Sequence, residues 1–269
     1  MPELPEVEVG RKLAEAACRG KTIDYVYAAE DDIVFDGVSP KSFARTLKGR
    51  QVEQVHRRGK QLWMTLDAGP HPLFHFGMTG SFKAYSDEGE RHAYCKCELL
   101  MHDGTRLGMK NSRRLGRIKL RDDPENQPPI SRLGFDPYLE MPGVKTFTKQ
   151  LTRRKAPVKA VLLDQGFAAG VGNWIADEVL YHARIDPRRR ANELSEAEAK
   201  TLRTKLGYVI RKAVECDADY QRFPESWLFV HRWRKRDSKK GEITDHEGNP
   251  VTFDTVGGRT TSWVPARQG

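Results

Sequence analysis

The chain has few cysteines, and those it has form no framework. Four occur in 269 residues (Cys18, Cys95, Cys97, Cys216), with no CxxC pair among them. That pattern excludes a disulfide scaffold and fits a reducing compartment. No run approaches the ~20 apolar residues that a membrane span needs, and no secretory apolar segment follows the N-terminus. No Gly-Lys-Ser/Thr follows the glycines of GVGN at 170–173, so a nucleotide loop is a weak reading there. No internal repeat and no RNP-type RNA motif is present. Cys95-x-Cys97, with His92 and His102 near, raises metal binding. Alternation in YCKCELLM puts both thiols on one face of a strand, where small buried hydrophobes are the simpler account.

What is present is positive charge and a sufficient core. Lys and Arg number 46 against 37 Asp and Glu, a formal net charge of +9, and 38% of residues are hydrophobic. The charge favours a polyanionic partner through attraction to phosphates. The plain alternative is a soluble protein of high pI.

Residues 2–19 read as a helix, with Pro5 in the first turn, acids crowding the start and Arg19-Gly20 closing it. Short strand-like runs follow: TIDYVYA, QVEQVHR, QLWMTL, PLFHFG, YCKCELLM, TRLGMK and RIKL. Gly, Pro or Asp separates several of them, as a sandwich or barrel requires. Residues 121–143, rich in proline and acids, read as a linker. Beyond them the pattern turns helical: KTFTKQLTR, VKAVLLDQ, NWIADEVLYHAR, and a long helix from about Ser195 to Cys216 that opens with a Ser195…Glu198 capping box. In the tail, WLFVHRWRKR and TFDTVGGRTTSWV read as the two arms of a hairpin-like pair. The predicted class is α+β, with boundaries at 1–130, 131–222 and 223–269.

The first residues also read as a reagent. Proline after the initiator methionine permits removal of Met1 and would leave Pro2 as a free secondary amine. An α-amino group titrates near ~7.7–8.0, against ~10.4 for lysine, and the positive end of a helix lowers it further. Such an amine attacking an aldehyde-like carbon gives an iminium, an electron sink that eases elimination. Glu3 stands beside it as a proton donor or shuttle. Glu6 lies one helical turn on and can face the same cavity. Retention of Met1 would block this chemistry. The plain alternative is a helix start whose acids obey the dipole preference.

MPELPEVE at the start, joined to GVGNWIADEVL in the helical half, resembles the formamidopyrimidine-DNA glycosylase/endonuclease VIII family of bifunctional base-excision repair enzymes. The resemblance implies an N-terminal helix with a β-sandwich, then a helix-two-turn-helix domain, then a β-hairpin finger. It implies that Pro2 attacks C1′ of the damaged nucleotide, that Glu3 donates a proton with Glu6 in support, and that Lys60 in HRRGKQLW acts in β-elimination near the lesion phosphates. Asn173 of GVGN would contact the phosphate flanking the lesion. As a plain residue it would cap the helix that follows. Lys155 and Lys159 would lie on the DNA side. Met78 in HFGMTG, with Arg113, Arg114 and Leu115 in NSRRLGR, would fill the void left by an extruded base. Leu115 stands where many bacterial members carry phenylalanine, and leucine cannot stack on a base. His92 would contact DNA.

No cysteine follows Cys216, so the four-thiolate zinc finger of most members is excluded. Arg259 in GGRTTSWV keeps the finger's arginine. It would bind the lesion phosphate and assist δ-elimination, with Phe229, Trp233, Phe253 and Trp263 as the packing that holds the hairpin. This resembles the zincless-finger branch of plants and fungi, which implies a nuclear setting if the protein is eukaryotic and a cytoplasmic one otherwise. The KRDSKKG run would serve import or face DNA. Asp219–Pro224 runs almost directly into the hairpin, where bacterial members have a long loop covering extruded 8-oxoguanine. That implies weak excision of 8-oxoguanine and better excision of formamidopyrimidines and hydantoins. No cofactor is expected. The expected partner is double-stranded DNA with oxidised bases or abasic sites, bound by a monomer. The alternative reading is a catalytically decayed DNA-damage binding protein.

Overall fold

Helix α1 (Leu4–Cys18) opens the chain in the computed structural model, which describes residues 2–86, 91–232 and 243–269. Glu3 is its extended N-cap. The Glu3 N–H donates to Glu6 Oε2 at 2.9 Å, and the Glu3 side chain accepts the Glu6 N–H in return. This reciprocal box satisfies two donors that a helix start otherwise leaves orphaned. The helix therefore begins at Leu4, and Pro2 and Glu3 precede it as extended chain. Leu4, Val7, Ala14, Ala17 and Cys18 face inward, and Gly20 (φ 76°) turns the chain out.

The contact pattern divides the chain between Arg132 and Leu133 into two units. The first carries β1 (Ile23–Ala28), α2 (Pro40–Leu47), β2 (Val52–Arg58), β3 (Gln61–Leu66), β4 (His71–His75), β5 (Ser81–Tyr85), β6 (Cys95–Met101), β7 (Arg106–Lys110) and β8 (Arg117–Arg121). These make two four-stranded antiparallel sheets, ordered β1-β6-β7-β5 and β2-β3-β4-β8. Val26, Leu99 and Met109 from one sheet share a core with Val55, Leu62 and Phe74 from the other, closed by Val7 of α1 and Phe43 of α2. Each such fully buried side chain stabilises by about 1.5–3 kcal/mol. The strands β5 and helix α2 had no counterpart among the runs read from sequence; SFKAY alternates too briefly, and α2 is eight residues long.

The second unit holds α3 (Val144–Thr152), α4 (Val158–Leu163), α5 (Asn173–Ala183), α6 (Glu196–Glu215), α7 (Leu228–Arg232), a hairpin of β9 (Thr252–Val256) and β10 (Arg259–Trp263), and α8 (Pro265–Gln268). Helix α5 is its axis: nine of its eleven residues are buried. Helix α6 starts at the expected box, with Ser195 and Glu198 capping each other.

The tail differs from its sequence reading. WLFVHR is not a hairpin arm but the short helix α7, whose first N–H groups donate to the buried Glu178 carboxylate at 3.0 and 2.7 Å (from Leu228 and Phe229). The hairpin is made wholly from TFDTVGGRTTSW. Its two-residue turn is Gly257-Gly258, both with positive φ (60° and 72°), the geometry that suits the strand twist. It lies within the second compact unit, Leu133–Gly269. Of the aromatic residues expected to hold it, Trp263 is buried and donates from Nε1 to Asp254 at 2.8 Å, and Phe253 packs beside Tyr181 and Val264. Phe229 instead joins Trp174, Tyr220 and Phe223 in a separate aromatic cluster. Trp233 and the KRDSKKG run lie outside the described residues.

All four cysteines are free and buried. Burial pushes the Cys18 thiol up to about 12 and the Cys95 thiol up to about 11, and raises Cys97 as well.

Gly10 in α1 is a close-packing position. A Cβ there would lie 2.8 Å from two ring carbons of Phe76, which is itself held edge-on by Phe82 at 5.0 Å. Gly10→Ala gains up to about 1 kcal/mol of helix propensity but overpacks the core by about 1–3 kcal/mol. A lower urea midpoint at unchanged slope is the expected result.

Candidate active site and nucleic-acid interface

In the first unit the catalytic candidates sit on two elements locked by one buried ion pair. Glu3 is 2% exposed and fixed by the capping box, with Pro2 immediately ahead of it and half-buried. Lys60 occupies the two-residue Gly59-Lys60 turn between β2 and β3, where Gly59 takes φ 55° and Arg58 pairs with Gln61. Arg57, its side chain 0% exposed, reaches both elements: Nε donates to Glu8 Oε2 of α1 at 2.8 Å, and Nη1 to Gly59 O at 3.1 Å. Arg11 adds a second bond to Glu8, also 2.8 Å. The helix that presents Pro2 and the turn that presents Lys60 are thus one rigid piece. Sequence reasoning gave neither Glu8 nor Arg57 a role, although Glu8 is one of the acids of the N-terminal motif.

A histidine joins this piece that sequence reasoning also passed over. His75 pairs in register with Gln61, next to Lys60, and its Nδ1 accepts the Gly77 N–H at 3.2 Å. Burial, with Lys60 and Arg117 close by, lowers it to about 4, so it is neutral and can accept. The signal was available: HFGMTG places a histidine two residues before the glycine of the Met78 turn.

Three loops emerge at the edge where β5 and β6 begin and β7 ends. Met78 is 42% and Leu115 41% exposed, and Arg113 is exposed. The turns of Met78 and Leu115 touch backbone to backbone, since a Cβ on Gly77 (φ 63°) would overlap the Leu115 carbonyl. Asn111, fully buried, joins them: Nδ2 donates to Phe76 O at 2.8 Å and Oδ1 accepts from Gly116 N–H at 3.1 Å. Arg114, its side chain 51% exposed, is tied to a neighbouring carboxylate. Its guanidinium makes a two-pronged bond to Asp31, 3.0 and 3.1 Å, and so braces the loop. Burial opposes ionisation of Asp31, but Arg114 and Lys96 outweigh it and bring the carboxyl down to about 2. His92 stands half-buried, edge-on to Tyr85 at 4.8 Å.

In the second unit Asn173 is the first residue of α5, and Gly172, not Asn173, is the N-cap. The Asn173 side chain instead donates from Nδ2 to Thr260 O at 2.8 Å, in the strand that begins with Arg259. Arg259 follows the Gly257-Gly258 turn and is exposed. Lys155 is exposed. Lys159 is not: it is 0% exposed, paired with Asp177 at 2.6 Å and bonded to Thr260 O (3.1 Å) and Thr261 Oγ1 (2.7 Å). The expectation of a DNA-facing Lys159 is corrected. A lysine this deeply buried needs a carboxylate beside it, and Asp177, one helical turn into α5, provides it. Asp177 also pairs with Arg232 at 2.9 Å and accepts the Ser262 N–H at 3.2 Å. The hairpin is therefore pinned to α5 at Thr260 and Ser262 by polar bonds.

With this geometry in hand, comparison with known proteins is direct. Residues 1–118 match the formamidopyrimidine-DNA glycosylase N-terminal domain, and residues 133–225 its H2TH domain. A formamidopyrimidine-DNA glycosylase of Arabidopsis thaliana is 41% identical over 281 aligned positions, covering 100% of this chain and 71% of that protein. One of Thermus thermophilus is 34% identical, covering 100% and 99%. The solved complex of Lactococcus lactis Fpg with an abasic-site DNA superposes with a TM-score of 0.83 at 25% identity, covering 99% of each chain. Fold and sequence together define a DNA glycosylase of base-excision repair with a helical DNA-binding domain. Among such enzymes, this chain belongs to the formamidopyrimidine-DNA glycosylase family.

The His75 environment predicts a pH dependence. An unfolded histidine titrates near 6.5, whereas His75 titrates near about 4. Between these values the unfolded chain takes up a proton that the folded chain refuses, so the contribution is complete above pH 6.5 and is lost as pH falls toward 4. Urea midpoints measured across that window should fall with acidification, and His75→Gln should flatten that slope.

Proposed function

We propose that this chain excises oxidised bases from duplex DNA and cleaves the resulting abasic site through its N-terminal imine chemistry. The observation that carries the reading is the placement of Pro2 directly ahead of a buried, box-fixed Glu3 at a helix N-terminus. Once Met1 is removed, the Pro2 nitrogen bonds to C1′ and the glycosidic C1′–N bond breaks, the base leaving with the electron pair and a proton. Glu3 protonates the ring oxygen, the sugar opens, and the amine proton departs to leave an iminium. The iminium acidifies C2′; loss of that proton expels the 3′-phosphate, and a second elimination expels the 5′-phosphate. Lys60, held on the same rigid piece as Pro2, serves the proton transfers of the first elimination. Arg259, with Asn173, binds lesion phosphates and assists the second.

The substrate preference rests on the stretch after α6. The residues from 217 to 227 are short and tied down: Asp219 caps a 3-10 turn, Phe223 is 5% exposed and Trp227 0%. The chain then enters α7 rather than the hairpin, and the stretch from α6 to α7 offers no long flap to fold over a base. Damaged bases whose ring is opened or distorted, the formamidopyrimidines and hydantoins, need less such help than 8-oxoguanine.

Borohydride reduction tests the chemistry. Wild-type protein on an abasic or formamidopyrimidine duplex should give a covalent adduct, at least tenfold reduced in a chain that keeps a residue ahead of Pro2. An undiminished adduct would remove Pro2 from the mechanism, and duplex retention with neither base release nor adduct would favour a damage-binding protein. Glu3→Gln should lose base excision yet still nick a preformed abasic site. In the same duplex opposite cytosine, 8-oxoguanine should be released more slowly than a formamidopyrimidine; equal rates would refute the preference.

A further inference from the structure

Among the described residues of the first unit, two adopt a left-handed backbone although neither is glycine: Tyr94 (φ 62°) and Arg114 (φ 55°). For a bulky side chain this conformation is a true outlier and costs free energy, and such strain gathers at functional sites. Both residues are held there by the same neighbour. The Asn111 N–H donates to Tyr94 O at 3.0 Å, and the Asn111 carbonyl accepts from Arg114 N–H at 3.4 Å. The cost at Arg114 has a visible return in the fold, its two-pronged bond to Asp31. The cost at Tyr94 has none: its side chain makes no hydrogen bond or ring contact among the described residues, and it is 63% exposed, the most exposed large apolar side chain described.

Register shows where that ring emerges. Ser81 and Cys95 both pair with Lys110, so the starts of β5 and β6 and the end of β7 share one edge of the sheet. Met78, Tyr94, Arg113 and Leu115 therefore leave that edge side by side, on loops that Asn111 ties together. Leu115 offers no aromatic face. We propose that Tyr94 supplies one, stacking against the duplex beside the lesion; the proposal rests on the glycosylase reading above. Stacking an aromatic ring on a base is tolerant of sequence and needs only exposure and a fixed backbone. Both are present here.

The experiment compares Tyr94→Gly and Tyr94→Phe with wild type, using fluorescence anisotropy on a tetrahydrofuran-containing duplex across a salt series. Glycine accepts the left-handed backbone without strain, so the melting temperature of Tyr94→Gly should hold or rise while its affinity falls about five- to a hundredfold. Tyr94→Phe should bind within about twofold of wild type, because the ring is kept. The slope of affinity against salt should not change in either variant, since no charge is removed. Wild-type affinity in Tyr94→Gly overturns the proposal, as does equal loss in Tyr94→Phe. Weakened binding accompanied by a melting temperature several degrees lower also overturns it, assigning the residue to the fold. Borohydride trapping by the wild-type protein is run alongside. Its absence would count against the glycosylase chemistry, whereas its presence with unaltered Tyr94→Gly binding would count against Tyr94 alone.

Discussion

A buried charge pair underlies the catalytic half of this molecule. Glu8 and Arg57, with side chains 6% and 0% exposed, meet at 2.8 Å between the leading helix and the first hairpin. Removing both charges from water is costly, and a buried pair of this kind is weak evidence for stability in itself. What it contributes is position. Arg57 also bonds the carbonyl of Gly59, so the N-terminal end of the leading helix and the turn bearing Lys60 keep one spacing. An apolar pair of similar size would fill the space but would not hold a turn carbonyl, and the groups proposed to react would be free to drift by the small distances that matter for catalysis.

The second unit repeats this economy with a different set of charges. Asp177, 2% exposed, gathers Lys159, Arg232 and the backbone of Ser262. Asn173 grips the adjacent carbonyl of Thr260. A second anchor lies farther along: Tyr181 donates to Asp245 at 3.0 Å, and Asp245 organises the turn through Asn249. The arginine just past the hairpin's turn is thus carried by a lattice of side-chain bonds to one helix. Where a metal would hold such a hairpin by ligand bonds, here the work is distributed over several weaker contacts, each dependent on exclusion of water.

Much of this could be read in the amino-acid order because local rules and global fold agree. The leading helix declared itself through Pro5 and its acids, the long α6 through Ser195 and Glu198, and most strands through alternation bounded by turn residues. The tail did not. WLFVHR is as rich in strand-forming residues as the true hairpin arms, and its helical state depends on a distant partner, Glu178, that no local pattern announces. Lys159 misled for the same reason: a lysine in a basic run looks solvated until Asp177 is seen beside it. Asn111, His75 and Asp31 were invisible as a group because their importance lies in joining loops far apart in sequence. Local propensity shows which elements form; it says little about which polar side chains are enclosed when those elements meet.

The cysteines carry one last implication. All four thiols are enclosed, and burial raises those of Cys18, Cys95 and Cys97 against ionisation, whereas the thiolate is what peroxides and electrophiles attack. The proposed nucleophile is nitrogen rather than sulfur. A repair catalyst built this way keeps at least Cys18, Cys95 and Cys97 from presenting a ready thiolate to oxidants, and its proposed chemistry does not depend on one.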